Sequence, residues 1–310
     1  MKKAPEAGIS LVSRVRKLST ALAPHPTAAE ARLDELPGIR AVLFDVYGTL
    51  FISASGEVGT AGADDSELAL TQAISACSAR GAHSGGQNDA SLRRVGVRGV
   101  ALLHETIAAH HRQRRKQGVR FPEVDIRWVW SRVLGQLQRE DLIDPDNLDL
   151  DALAVEYECR VNPVWPMPGA EQLLAALRAR CMVLGIVSNA QFYTPLLFEA
   201  FWASALEQLG FSSHLCVWSY EQGVAKPCVE LLRTGLNRLR TVSGIGPQAV
   251  LYVGNDMRND ILPAVDLGCR SGLFAGDRRS YRPRCDEPRC REASPNVVLT
   301  DLGQLVRLLA

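Results

Sequence analysis

An apolar run that stops at an acid and a glycine narrows the fold of this chain more than any other feature. It reads Ala41-Val42-Leu43-Phe44-Asp45-Val46-Tyr47-Gly48-Thr49-Leu50-Phe51. Its four leading apolar residues predict a buried strand, closed by turn-forming residues. An aspartate at the carboxyl end of such a strand lies where open α/β sheets hold their ligands. Gly48 permits the tight turn that follows, and Thr49 brings a hydroxyl donor next to the carboxylate. A strand ending in an ordinary turn acid has the same local pattern, so the rest of the chain has to decide between the two.

Three later segments favour the ligand site. Met182-Val183-Leu184-Gly185-Ile186-Val187-Ser188-Asn189 is a second apolar run, ending in a hydroxyl and an amide. Gly223-Val224-Ala225-Lys226-Pro227 sets a lone lysine in a turn, with a proline suited to opening a helix. Val250-Leu251-Tyr252-Val253-Gly254-Asn255-Asp256-Met257-Arg258-Asn259-Asp260 is a third strand that ends in two carboxylates and two amides. Each is weak alone. In this order, at strand ends or in the turns after them, they form a pattern.

Together these residues resemble the motifs of the haloacid dehalogenase superfamily, whose hydrolases use an aspartate nucleophile. The resemblance spans residues 39–51 and roughly 163–275. It implies a doubly wound, mainly parallel, Rossmann-like α/β sheet with an inserted α-helical cap. It also implies Asp45 as nucleophile, Ser188 and Asn189 as binders of the transferring group, and Lys226 as the cation orienting Asp45 and the substrate. Thr49 and Tyr47 join them at the substrate. Asp256 and Asp260 become the acidic end of a magnesium site, with Asp45 and the backbone carbonyl of Tyr47 as further ligands. Family members space the two acids four or five residues apart, and the wider spacing puts Asn255 in the first position.

The residues support the same chemistry without the family. Three carboxylates brought together raise one another's pKa unless a cation is present. One or two carboxylates with waters and substrate oxygens suit Mg²⁺, which would polarise a phosphoryl group for in-line attack.

One departure bears on function. Phosphatases of the superfamily usually carry a second aspartate two residues after the nucleophile, where this chain has Tyr47. A phenol with a pKa near 10 donates a hydrogen bond but accepts a proton poorly at neutral pH. Losing a positioned acid/base costs about 10²- to 10⁴-fold in rate. The Asp-x-Tyr-Gly-Thr form is similar to that of the 2-haloacid dehalogenases, whose leaving halide needs no proton. Those enzymes usually have a tyrosine six residues after the lysine, where this chain has Leu232, and serine and asparagine where it has Asn255-Asp256.

The expectation is therefore a hydrolase with Asp45 as nucleophile, in first place a magnesium-dependent phosphohydrolase or phosphotransferase acting on a small, anionic metabolite. Metal-free 2-haloacid hydrolysis is the second reading. A catalytically impaired binding or regulatory protein is the third.

Composition agrees with a cytoplasmic enzyme. The 310 residues are 46% hydrophobic, enough for a packed core, and contain no apolar run long enough to span a membrane. A formal net charge of +1 gives no general attraction to nucleic acid. The eight cysteines show no Cys-x-x-Cys, so neither a zinc site nor a disulfide framework is expected. Cys181 and Cys269 read as small core residues.

Breakers and periodicity divide the chain into residues 1–38, residues 39–52 with 163–310, and a helical stretch at 53–162, which the resemblance implies are a leader, a core and a helical cap. Within these, residues 11–22 read as helical, with Arg14, Arg16 and Lys17 on a solvated face. Residues 53–64 and 81–89 read as loops, and 66–77, 100–115, 126–138 and 150–160 as helices. His104 and His111, seven residues apart, share one helix face. Trp128 and Trp130 point to different faces. Residues 278–291 read as a polar, arginine-rich loop. The oligomeric state is not encoded in any of these patterns.

Overall fold

The computed structural model describes residues 9–55, 63–78, 89–144 and 148–309. Helix α1 (Leu11–Leu18) precedes strands β1 (Ala41–Phe44) and β2 (Phe51–Ser53). Four helices follow: α2 (Ala63–Cys77), α3 (Asp89–Lys116), α4 (Ile126–Arg139) and α5 (Leu150–Val161). Next come β3 (Val164–Pro166), α6 (Ala170–Ala179), β4 (Val183–Ser188), α7 (Thr194–Trp202), β5 (Phe211–Trp218), α8 (Ser219–Gln222) and α9 (Val229–Ser243). The chain ends with β6 (Val250–Gly254), α10 (Leu262–Asp266), β7 (Arg270–Phe274), α11 (Pro288–Glu292), β8 (Val297–Leu299) and α12 (Gln304–Leu308).

Six strands form one sheet in the order β5-β4-β1-β6-β7-β8, and every pairing in it is parallel. This is the α/β class the apolar runs predict. β1 is central and all four of its residues are fully buried, as a strand covered on both faces requires. From β1 the chain builds one half of the sheet through β4 and β5, then returns to β1's other side with β6. The order therefore reverses at β1, and a crevice opens at the carboxyl ends of β1, β4 and β6. Phe44 is level with Ile186 on one side and Val253 on the other, which brings the three strand ends together.

Hydrophobic clusters cover both sheet faces. Phe44, Leu174, Phe198 and Leu305 belong to one, and Leu43, Leu231, Leu236 and Leu239 to the other. Helices α2 to α5 enclose a cluster of their own around Leu70, Trp130, Leu137 and Leu153. α4 shows how its sequence builds it. Asp125 caps the helix by accepting from Arg127 N, and Val129, Trp130, Val133, Leu134 and Leu137 form one buried stripe. A short antiparallel ribbon, β2 with β3, flanks this helical stretch where it leaves and re-enters the sheet.

Several local expectations need correction. α1 stops at Leu18, because Ser19 is extended (φ −84°, ψ 137°). Its basic residues are not simply solvated: Arg14 Nη1 pairs with the buried Glu156 at 2.6 Å, and Arg16 Nε donates to the Ala200 carbonyl at 2.7 Å. In the first expected loop, Ser53 belongs to β2 and residues 63–64 to α2, while 56–62 lie outside the described residues. In the second, residues 81–88 lie outside them and Asp89 already opens α3. α3 begins well before residue 100 despite Gly96, which lowers helix propensity. Close packing against α2 explains that glycine, since a Cβ there would stand 2.6 Å from the Glu67 carbonyl oxygen. Cys181 is exposed at a left-handed position (φ 55°) that ends α6, whereas Cys269 is buried.

Candidate active site

The three strand ends and the turn before α9 bring the predicted charged residues into direct contact. Lys226 Nζ lies 2.7 Å from Asp45 Oδ1 and 2.6 Å from Asp260 Oδ1. Ser188 Oγ donates to the same Asp45 oxygen at 2.8 Å. Burial alone would pull the Lys226 ammonium down. The carboxylates of Asp260 and Asp45 outweigh it and hold the group well above its ordinary 10.5. Burial pushes the Asp260 carboxyl up to about 6 against the opposing pull of Lys226. The ammonium at 2.6 Å argues for an ion pair at neutral pH.

Asn189 lines the cavity beside Asp45 and also holds the turn that carries Lys226. Its Oδ1 accepts from the Lys226 backbone N–H at 2.7 Å and its Nδ2 faces the Lys226 carbonyl at 3.4 Å. The amide thus clamps the turn that carries the lysine.

The strand end at β6 separates the two acids. Asp260 Oδ2 accepts from the Asp256 backbone N–H at 3.0 Å, so Asp260 folds back over the strand end. Gly254 makes room for this, since a Cβ there would lie 2.6 Å from Asp260 Cβ and closer still to its carboxyl. Gly254→Ala therefore has to displace Asp260. Overpacking of this kind costs about 1–3 kcal/mol. A melting temperature lower by roughly 5 °C is expected in thermal unfolding, and an unchanged value would mean that Asp260 is not held against the strand.

Asp256 serves two other partners. Its Oδ1 accepts from the backbone N–H groups of Arg258 (2.8 Å) and Asn259 (3.2 Å), capping a π-helical turn, Met257–Ile261. Its Oδ2 pairs with Arg284 Nη2 at 2.6 Å. Asn255 comes directly after the strand: its Oδ1 accepts from Thr49 Oγ1 at 3.2 Å and its Nδ2 donates to the Ser280 carbonyl at 2.6 Å. Tyr47 OH and Thr194 Oγ1 share a hydrogen bond at 3.0 Å. Burial, then the neighbouring Glu158, pushes the Tyr47 phenol well above its ordinary 10.0, so it stays protonated.

Magnesium needs hard oxygen donors with at least one or two free carboxylates. Asp45 and the Tyr47 carbonyl qualify by chemistry. The expected acidic partner does not, because Asp256 is engaged by Arg284 and by its own turn, Asp260 by Lys226, and Asn255 is neutral. Among the described residues no group of three or more His, Cys, Asp or Glu side chains is placed to hold a metal ion. As arranged here, Asp256 would have to leave Arg284 to join Asp45 and the Tyr47 carbonyl around such an ion.

Four participants escaped the sequence reading. Tyr252, fully buried on β6, donates to the Val187 carbonyl at 2.7 Å and meets Lys226 Nζ at 3.3 Å. A lone phenol in an apolar strand was its only signal, since a buried hydroxyl needs a partner. Ser280, Arg282 and Arg284 come from the loop expected to be merely polar. That loop is strapped to the β6 strand end, with Arg282 N donating to the Asn255 carbonyl and Met257 N to the Arg282 carbonyl, both at 2.9 Å.

Above these groups lies a cavity of about 570 Å³. Asp45, Tyr47, Lys226, Asp260 and Arg282 line its floor. The wall facing them comes from α3, α4 and α5 and includes Leu103, Ile107, His111, Trp130 and Glu158. His104, which is exposed, and His111, which is half-buried, both line this cavity. Trp128 and Trp130 diverge as expected, at 41% and 1% exposure.

A carboxylate, a lysine and a hydroxyl thus gather at the switch point of a parallel sheet, where open α/β sheets hold their ligands. Residues 39–268 match the family model "haloacid dehalogenase-like hydrolase", and the chain belongs to that family. No curated protein matches it in sequence. Among solved structures, it is similar to the 2-haloacid dehalogenase from Pseudomonas syringae pv. Tomato, with 20% identity and TM-score 0.51, covering 87% of this chain and 97% of that one. It is also similar to a HAD phosphatase from Thermococcus onnurineus, with 17% identity and TM-score 0.50, covering 87% and 97%. At these identities the likeness is one of fold. No helix among the described residues is long and apolar enough to cross a membrane.

Proposed function

We propose that the protein is a hydrolase whose Asp45 attacks carbon and displaces a leaving group that departs as an anion, with 2-haloacids as the substrate class. The observation that carries this reading is at Tyr47, where phosphate-ester chemistry would need a proton carrier. The phenol there is tied to Thr194 and held protonated. A halide departs without a proton, so that side chain is not required to supply one.

The charge balance points the same way. Five carboxyl groups, Asp45, Glu123, Glu158, Asp256 and Asp260, line the cavity with two permanent cations, Lys226 and Arg282, while Arg284 pairs with Asp256. With no excess positive charge, the site suits a monoanionic carboxylate better than a phosphate dianion. Arg282, on the cavity floor, is the cation proposed to meet that carboxylate.

In the proposed first step an Asp45 oxygen forms a C–O bond as the carbon–halogen bond breaks and the halide leaves with the electron pair. Lys226 and Ser188 hold the other Asp45 oxygen and fix the line of attack. Water then adds to the ester carbonyl of Asp45, and its proton passes to a neighbouring carboxylate, for which Asp260 is the candidate. The acyl C–O bond breaks, the departing alkoxide takes a proton back from Asp260, and the Asp45 carboxyl gives its remaining proton to solvent, releasing a 2-hydroxy acid and restoring the Asp45 carboxylate.

The magnesium-dependent phosphohydrolase or phosphotransferase keeps one observation in its favour, that Asp256 lines the same cavity as Asp45. It requires Arg284 to release that carboxylate. The two readings part experimentally. Halide release from 2-chloro and 2-bromo acids is expected to persist in excess chelator and to vanish in Asp45→Asn. Phosphate release that depends on added Mg²⁺, without halide release, would replace the first reading with the second. Neither activity would leave a binding protein.

A further inference from the structure

We propose that α1 is a clasp, anchored on the sheet and gripping α5, that limits how far the helical wall can lift from the cavity above Asp45. The inference goes beyond the hydrolase reading and holds whichever bond Asp45 attacks.

Helices α2 to α5 have a hydrophobic cluster of their own, and the chain enters them after β2 and leaves them into β3. Relative motion is the default for such units unless the interface between them is large and apolar. α5 supplies Ala154, Tyr157 and Glu158 to the cavity, so movement of that helix changes the space over Asp45. Gln191 makes one link between the two parts, bonding the backbone of Val124 and Ile126 at 2.9 Å each. α1 makes a second.

α1 precedes both parts in the chain and touches both. Ser10 caps it by accepting from Ser13 N. Leu11, Val15 and Leu18, spaced i, i+4, i+7, form its apolar face. Val15 is fully buried, and Leu11 packs against the sheet's cluster and the helical cluster alike. On the sheet side, Arg16 Nε and Nη2 donate to the carbonyls of Ala200 (2.7 Å) and Glu199 (2.8 Å) in the last turn of α7, a favourable place for a cation. The segment after α1 is tied to the sheet edge as well. Thr27 Oγ1 donates to the Ala275 carbonyl at 2.7 Å, and the backbones of Arg32 and Val298 exchange two hydrogen bonds of 2.9 Å. Towards the helical wall, Arg14 Nη1 crosses to Glu156 of α5 at 2.6 Å, and both side chains are largely buried. Arg160 holds the same carboxylate from within α5, so Glu156 keeps a partner when Arg14 is removed.

Cys159 of α5 reports the opening. It is buried beside Val15, Val155, Tyr193 and Leu197, where α1, α5 and α7 meet. Cys216 on β5 and Cys269 before β7 are buried in the sheet part. Burial pushes all three thiols up to about 12, so each reacts only when an opening exposes it. The test is alkylation of the full chain by N-ethylmaleimide, followed peptide by peptide by mass spectrometry in the parent and in Arg14→Gln. Cys159 is expected to react roughly tenfold faster in the variant, with Cys216 and Cys269 unchanged. An unchanged Cys159 would overturn the clasp. So would equal acceleration at all three cysteines, the mark of general destabilisation. If Arg14→Gln does not fold, as judged by circular dichroism, Arg16→Gln, at an exposed position, decides by the same criteria. No substrate enters this assay, so its outcome is independent of the halide-release experiment.

Discussion

Lys226→Met is expected to cost the fold about 3–5 kcal/mol at neutral pH, the usual effect of removing one partner from a buried ion pair. The ammonium is 2.7 Å from Asp45 and 2.6 Å from Asp260, and all three groups are buried. Methionine fills the same volume with no charge, leaving two carboxylates in a low-dielectric pocket beside each other. With the opposing pull of Lys226 gone, the folded pKa of Asp260 rises further above its ordinary 3.8. A raised carboxyl contributes stability that is present below the unfolded pKa and is lost as pH rises through the folded pKa. The deficit of the variant should therefore be small near pH 4 and grow towards neutrality. In the parent protein the raised Lys226 works in the alkaline range, where its contribution is present below 10.5 and lost as pH climbs through the folded value. Denaturant titrations of both proteins between about pH 4 and about pH 8 measure the difference. A gap that does not vary with pH would mean that Lys226 acts through packing and not through charge.

What the sequence revealed of this site, and what it hid, follows from the reach of local pattern. Asp45 and Ser188 were legible because each ends an apolar run, and a strand end is a place as well as a pattern. Lys226 was legible only by its order after them. The two acids near β6 were visible as a pair, but spacing cannot tell a ligand from a cap. Asp256 begins a π-helical turn and is drawn into capping it, which leaves Asn255 directly after the strand. Arg284 and Ser280 gave no local signal, because their contacts depend on the path of a loop after β7 that crosses the end of β6. His104 and His111 could be placed on one face, yet whether that face met water or the cavity was decided by α2, α4 and α5. Strand β5 was missed for a related reason. Its exposed Ser212, Ser213 and His214 interrupt the apolar pattern before Leu215 enters the sheet.

Asp45→Asn is expected to leave the fold intact and abolish turnover, a loss of roughly 10⁴-fold or more for a nucleophile working with its partners as a unit. Asparagine keeps the size of the side chain and an oxygen that Ser188 and Lys226 can still reach, so thermal unfolding should move little. The amide lacks the negative charge needed to displace a leaving group from carbon. Loss of activity alone does not separate a nucleophile from a base that activates water. Heavy-oxygen water separates them. If Asp45 forms an ester, the water that opens it adds at the acyl carbon, and one oxygen of the regenerated carboxylate comes from solvent. With enzyme in excess over substrate, a single turnover then places the label in the peptide containing Asp45 and leaves the first hydroxy-acid product unlabelled. If Asp45 only activates water, the label goes straight to product and the peptide keeps its natural mass. Mass spectrometry of a digest reads the two outcomes directly, and an unlabelled Asp45 peptide beside labelled product would remove the covalent step from the mechanism.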